Sequence, residues 1–197
     1  MRSKYKILLV SLLFLSLSGF SQRESNWTID IGLTQTYPGF FILYNGSVDI
    51  GAGYNTKLTG DLFGGGSFEV QFLKLSGTQS RTTIYKPKLN LHYRFKVGKS
   101  FSIIPWFSVG YSFLNIKNAE YNYADTQSGL NISPELKLLW NTQTRIDYYF
   151  YGRYDYIKLS KDAGFTHLKY YRNIDLTSFG IGILIKQKEH ELPEKYK

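Results

Sequence analysis

The side chains capable of acid–base or nucleophilic chemistry are few and far apart in this sequence. It contains three histidines and no cysteine. His92 stands alone within an alternating segment, where an interior imidazole satisfied by its neighbours is the favoured interpretation. His167 is followed by Leu168 and Lys169, neither of which carries a hydroxyl or thiol nucleophile. Because no carboxylates cluster with the histidines, we expect no catalytic residue, no cofactor site and no metal site.

Most of the remaining ionisable groups occur singly within segments of strict alternation. In residues 85–97 the odd positions are apolar and the even positions are polar, most of them basic. Successive side chains of a strand point to opposite faces, whereas a helix of this composition would carry polar groups on every side. The segment is therefore predicted to be a strand with one apolar face and one charged face.

The same alternation recurs along the chain and predicts eight strands. They are placed at residues 27–34, 40–55, 61–73, 85–97, 101–116, 129–140, 145–159 and 173–187. The turns after the second, fourth and sixth strands are short, and the connections after the third, fifth and seventh are longer. In the last strand, Ile174 and Leu176 are out of phase with Phe179. A bulge near residues 177–178, or emergence of the strand from the apolar zone, would explain this phase change.

The charged faces of these strands carry nearly equal numbers of acids and bases. A closed polar interior requires such a balance, because a buried charge without a partner is costly. The predicted interior network consists of Asp30, Asp49, Glu69, Lys86, Lys88, Arg94, Glu135, Lys137, Asp147, Arg153 and Asp155, with Arg145 as a further base. If the turns are tight, Lys137 faces Asp147 across two strands, and His92 faces Trp106. Glu69 opposite Lys88 is a weaker expectation of the same kind.

Aromatic residues on the apolar faces concentrate near the strand ends. Tyr54, Phe95, Phe101 and Trp140 lie beside the short turns, and Tyr85, Phe113 and Tyr156 lie toward the longer connections. Two aromatic girdles of this kind are typical of proteins that cross a membrane.

Across about residues 26–187, this pattern resembles the small eight-stranded outer-membrane barrels of the OmpA/OmpX type. The resemblance implies an all-β, antiparallel, up-and-down transmembrane β-barrel with lipid-facing apolar residues and a polar, charge-filled interior. It also implies a monomer in the outer membrane of a Gram-negative-type envelope, in contact with outer-membrane lipids.

The two ends of the chain are expected to lie outside the barrel. Residues 1–21 have the basic head, apolar core and small residues before the cleavage point of a signal peptide. Residues 22–187 form the barrel, and residues 188–197 form a charged periplasmic tail. Removing Arg2, Lys4 and Lys6 with the signal peptide lowers the formal charge from +9 to +6. Because the remaining bases form no run, a nucleic-acid partner is not expected.

The function expected from these features is a structural or surface-binding role through the outer loops, toward a surface glycan or protein. Residues 121–123 and 169–172 bring aromatic and basic side chains to those loops. One alternative is a narrow pore for ions or small solutes through the interior charges. A second is a lipid A-modifying enzyme, although the His-x-Ser arrangement of such enzymes is absent at His167. A third is a soluble periplasmic lipid carrier, in which the two faces would be inverted.

Overall fold

The chain forms one antiparallel sheet that closes on itself. The computed structural model describes residues 24–36, 44–45, 48–75, 80–118, 123–160 and 173–187. Its strands are β1 (Ser25–Thr36), β2 (Tyr44–Asn45), β3 (Val48–Thr59), β4 (Leu62–Leu75), β5 (Ser80–Tyr93), β6 (Phe95–Val97), β7 (Phe101–Asn118), β8 (Tyr123–Trp140), β9 (Ile146–Leu159) and β10 (Asn173–Lys186). None of the described residues belongs to a helix long and apolar enough to cross a membrane.

Eight long strands follow one another around the barrel. The order is β1, β3, β4, β5, β7, β8, β9 and β10, and β10 pairs back with β1 to close the sheet. The short strands β2 and β6 pair with β4 and β7. The structure thus confirms the predicted eight-stranded, up-and-down antiparallel barrel.

The barrel has two different ends. Tight turns follow β3 and β6 at one end, where Gly60 (φ 53°) and Gly98 (φ 72°) supply left-handed backbone conformations. A five-residue connection from 141 to 145 follows β8 at the same end. The two ends of the sheet meet there as well, since the Ser25 hydroxyl donates a hydrogen bond of 2.6 Å to Gln187. We call this end the turn rim and the opposite end the loop rim.

The outward face is apolar and the inward face is polar. Large apolar side chains point outward along every long strand, with Leu89 76% exposed and Phe150 67% exposed. The charged side chains of the alternating segments point inward and are buried. A continuous exposed apolar belt of this extent is what a bilayer covers. The soluble-carrier alternative required the opposite arrangement, which the structure excludes.

Several strand boundaries differ from the sequence prediction. The segment expected to be a long loop at residues 117–128 is mostly a hairpin, because β7 continues to Asn118 and β8 begins at Tyr123. β5 begins at Ser80 instead of residue 85. The second predicted strand is divided, because β3 begins at Val48 and β2 pairs separately with the end of β4.

The bulge suggested for the last strand is wrong. β10 pairs with β9 in an unbroken register from Asn173 to Ile185. Ile174 and Leu176 are simply inward-facing apolar residues. Other predictions lie outside the described residues, namely the signal peptide (1–21), the tail (188–197), His167 and the loop segments 121–122 and 169–172.

Candidate functional site: a charged lumen

The centre of the lumen is organised around the guanidinium group of Arg153. This group contacts four carboxylates, with Glu69 at 2.9 Å, Asp155 at 3.3 Å, Glu135 at 3.9 Å, and Asp49 in direct hydrogen-bonding contact. Arg153 is 2% exposed. Since β9 lies opposite β3 and β4 in the closed barrel, closure brings these residues together although they are distant in sequence.

Two lysines of β5 complete the central network. The Lys86 ammonium group lies 2.7 Å from Asp155 and 3.1 Å from Glu69. The Lys88 ammonium group lies 2.5 Å from Glu69 and 3.6 Å from Asp155, and it donates a hydrogen bond of 3.3 Å to Ser133. Each lysine therefore bridges the same two carboxylates. The prediction that Lys88 lies directly opposite Glu69 is wrong, because the strand partner of Glu69 is Lys86, and Lys88 reaches Glu69 from the position opposite Ser67.

All eleven residues of the predicted interior network lie in the lumen. They are buried, and none is more than 8% exposed: Asp30, Asp49, Glu69, Lys86, Lys88, Arg94, Glu135, Lys137, Asp147, Arg153 and Asp155. The further base Arg145 is instead exposed in the turn before β9. A different base, Lys186, pairs with an interior acid instead: its ammonium group lies 2.8 Å from Asp147 at the turn rim.

The predicted pair of Lys137 and Asp147 is wrong. Trp140 pairs with Tyr148, so the turn between β8 and β9 is longer than expected and Lys137 lies opposite Tyr151. The Lys137 ammonium group instead lies 3.3 Å from Glu135 and 3.8 Å from the centre of the Trp106 ring. The contact with an aromatic face contributes a favourable cation–π interaction.

Two tyrosines of β9 belong to the lumen, and sequence reasoning did not identify them as functional. Tyr149 donates a hydrogen bond of 3.0 Å to Asp30, and Tyr151 donates one of 2.8 Å to Asp49. Glycines face them on β10 and on the strand beyond it, β1, because a side chain at Gly182 would overlap the Tyr149 ring and one at Gly32 would overlap the Tyr151 hydroxyl. In the sequence, these glycines at inward positions of two adjacent strands could have indicated that large inward side chains lie nearby.

An apolar layer closes the lumen toward the loop rim. It consists of Leu73, Ile84, Leu114, Ile157, Ile174 and Leu176, each at most 2% exposed. The members come from five strands and pack against one another across the barrel. The charge network therefore lies below a packed cluster of apolar side chains, whose direct strand partners include the buried amides of Gln71 and Gln127.

A second layer lies between the network and the turn rim. His92 pairs with Trp106 as predicted, and the two rings stack with centroids 3.9 Å apart. Phe63 stacks on the opposite face of the imidazole at 5.2 Å. The guanidinium group of Arg94 lies 5.0 Å from the Phe63 ring, and no acid of the described residues forms an ion pair with it. Both His92 ring nitrogens are buried without a hydrogen-bond partner among the described residues. The prediction of an imidazole satisfied by its neighbours is therefore wrong for hydrogen bonding, because its neighbours are the stacked rings of Phe63 and Trp106.

The predicted interfacial aromatic residues all lie on the outward face. Tyr54, Tyr85, Phe95, Phe101, Phe113 and Trp140 are 39–56% exposed, and Tyr156 is half-buried. Near the turn rim, Trp27 packs against Tyr54 at 5.0 Å and Tyr93 against Phe95 at 4.5 Å. Nearer the loop rim, Tyr85 pairs with Phe113.

Solved structures of small outer-membrane barrels share this fold. Neisserial surface protein A aligns with a TM-score of 0.64 and 9% identity over 83% of this chain and 97% of that chain. A major outer membrane protein from Thermus thermophilus gives 0.56 and 9% over 83% and 99%. Ail, the attachment invasion locus protein of Yersinia pestis, gives 0.54 and 12% over 84% and 99%. No protein-family model matches the chain, and no curated protein matches it.

At these identities the similarity concerns the fold. The chain has the architecture of an outer-membrane β-barrel, and its own apolar belt and charged interior are those of a protein embedded in that membrane. The short turns of such barrels face the periplasm and the longer connections face outward. We therefore expect the loop rim to be the outer end.

Proposed function

We propose that this protein is a closed, non-conducting barrel that acts at the cell surface, through a rigid sheet extension at its loop rim. The observation that carries the proposal is the apolar layer over the charge network. An ion crossing the barrel would have to pass both the neutral network and the six packed apolar side chains. Apolar constrictions are barriers to ions because they exclude water.

The network itself fits a plug better than a pathway. Four acids (Asp49, Glu69, Glu135, Asp155) face four bases (Lys86, Lys88, Lys137, Arg153) within contact distance. Each of these four bases is engaged by at least one carboxylate, so these eight side chains offer a passing ion no unpaired charge. An eight-stranded barrel is also just wide enough for its side chains to fill it.

The extension at the loop rim supports a surface-binding role. The last pair between β8 and β9 is Gly129 with Leu159, whereas β7 and β8 remain paired as far as Asn118 and Tyr123. Among the described residues, the β7–β8 hairpin, which we call the arm, therefore extends beyond β9, while on its other side β5 stays paired with β7 as far as Ser80 and Asn118. The Yersinia pestis Ail structure is a complex with the heparin analogue sucrose octasulfate, which makes a sulfated glycan the first probe for this arm.

Conductance and cell-surface labelling test closure and orientation. We expect purified wild-type barrel to give no conductance steps in planar bilayers. Because the chain has no cysteine, Ala124→Cys provides a single thiol on the arm, and Lys99→Cys provides one at the turn rim. A membrane-impermeant maleimide should label A124C on intact cells and K99C only after lysis. Discrete conductance steps, or the reverse labelling pattern, would refute the proposal.

Attachment of cells to a heparin-coated surface tests the binding role. In the trimmed variant, residues 118–123 are replaced by an Asn-Gly turn that joins the paired residues Lys117 and Ala124. The barrel should still show heat-modifiable gel mobility, which reports folding, while attachment falls to the level of cells without the protein. Equal attachment by wild type and the trimmed variant would contradict a binding role for the arm.

A further inference from the structure

Three basic side chains form a row on the outward face near the loop rim. Lys74 of β4 pairs with Arg81 of β5, and Arg81 pairs with Lys117 of β7. All three are exposed. Side chains paired in this way are about 5 Å apart, and like charges at that distance repel. No acid among the described residues forms an ion pair with any member of the row, so the protein itself does not offset this repulsion.

The residues next to the row follow the order of a membrane interface. The next outward-facing pair toward the apolar belt is Thr83 and Asn115, which carry a hydroxyl and an amide. One further position along are the paired aromatic residues Tyr85 and Phe113. Cations, hydrogen-bonding groups and aromatic rings therefore follow one another toward the apolar belt. This is the sequence of environments that a lipid headgroup, its glycerol or sugar region and its upper acyl chains would meet.

An apolar groove lies on the same strands at acyl-chain depth. It is an open groove of about 730 Å³, in which Pro87 lies between the larger rings of Phe68 and Tyr111, and the small residues Ala52 and Gly66 line its floor toward β3. Phe68, Pro87 and Tyr111 are each six residues from the basic row along their own strand. Six residues span about 20 Å, which is about 15 Å of depth at a strand tilt of about 40°. Half of the hydrocarbon core is about as thick.

We propose that this face binds a phosphorylated glycolipid of the outer leaflet, of the lipid A type, with its phosphates on the basic row and an acyl chain in the groove. The row carries three adjacent positive charges, whereas the headgroup of an ordinary phosphodiester lipid carries a single negative charge on its phosphate. A phosphomonoester carries about −1.5 to −2, so one or two of them on a glycolipid match the row. The inference requires the outer-membrane location but does not depend on glycan binding by the arm.

Binding by the folded barrel in a neutral detergent tests the inference. The probes are diphosphorylated lipid A, the same lipid after enzymatic dephosphorylation, and phosphatidylglycerol. The test variant is K74Q/R81Q/K117Q. The matched control is K96Q/K99Q/K158Q, which removes three exposed cations that do not neighbour one another in this way. The readout is the lipid-dependent rise in the temperature at which heat-modifiable mobility is lost, titrated to give an apparent Kd.

We expect wild type and the control to bind diphosphorylated lipid A with similar Kd, and the test variant to bind roughly 100-fold more weakly. This estimate takes about 1 kcal/mol for each cation near anionic headgroups. Added salt should weaken wild-type binding and leave the variant little changed. Equal binding by the test variant, or equal binding of the dephosphorylated lipid, would overturn the proposal. Equal binding of phosphatidylglycerol would overturn the assignment to a glycolipid.

Discussion

Replacing Arg153 with methionine is the most direct perturbation of the lumen. The side chain is 2% exposed and contacts four carboxylates. Methionine keeps much of its length and removes its charge, leaving three bases against four acids. Removing one partner from a buried ion-pair network typically costs about 3–5 kcal/mol, because the remaining charges stay buried and unpaired. We expect R153M to lower the free energy of unfolding by that amount.

The assay is reversible urea unfolding of the barrel in lipid vesicles, followed by the fluorescence of its three tryptophans. The double variant R153M/D49N restores equal numbers of acids and bases, and its amide oxygen still accepts the hydrogen bond from Tyr151. It should therefore be more stable than R153M, by at least about 1 kcal/mol.

An arginine outside the lumen provides the matched control. Arg145 is exposed in the turn before β9 and donates a hydrogen bond of 3.1 Å to the carbonyl of Lys186. R145M should change stability by no more than about 1 kcal/mol, as is usual for exposed charges. If R153M costs as little as R145M, the lumen is hydrated and the argument for a plug fails.

Two further predictions concern packing inside and across the barrel wall. His92→Phe should leave stability equal or raise it by up to about 1 kcal/mol in the same assay, because it keeps the stacked ring and removes two unpaired nitrogens. His92→Ala should lower it by about 3 kcal/mol, and a loss of that size in H92F would indicate a hidden polar partner. Gly65→Ala should cost about 1–3 kcal/mol, since its methyl group would overlap the Tyr54 carbonyl. Gly66→Ala has only the Lys88 carbonyl oxygen nearby, at 3.5 Å, and should change stability by less than about 0.5 kcal/mol; equal costs at the two glycines would contradict the close approach.

The faces of the barrel could be predicted because a strand has a period of two. Once one position is known to point inward, the period assigns every other position of the same strand. All eleven predicted network residues are therefore buried, although their partners were mostly unknown. The direction of the faces needed more than periodicity, and came from the charge balance, the uninterrupted apolar faces, the aromatic residues at the strand ends and the even strand number with short and long connections on opposite rims.

Pairings between strands could be predicted only where the turn length was evident. The turn around Gly98 fixes the register of its two strands, so His92 and Trp106 were matched correctly. The turn before β9 is longer than the sequence suggested, and this moved Lys137 away from Asp147. The contacts of Arg153 with Asp49 and Glu69 span the lumen and arise from barrel closure, which no local sequence signal records.

The apolar layer shows why an alternating pattern undervalues some inward residues. If every apolar residue is assumed to face outward, Ile174 and Leu176 would break the alternation of their strand. In the structure both face inward, and the register of the strand is unbroken. Their apolar partners lie on four other strands, so the six side chains pack together only once the barrel has closed. The charges below this layer are buried, and in a buried medium of low dielectric constant paired charges attract strongly and unpaired ones are costly. The apolar layer and the paired charges therefore both fill the lumen, and we infer that the barrel is closed by the two together.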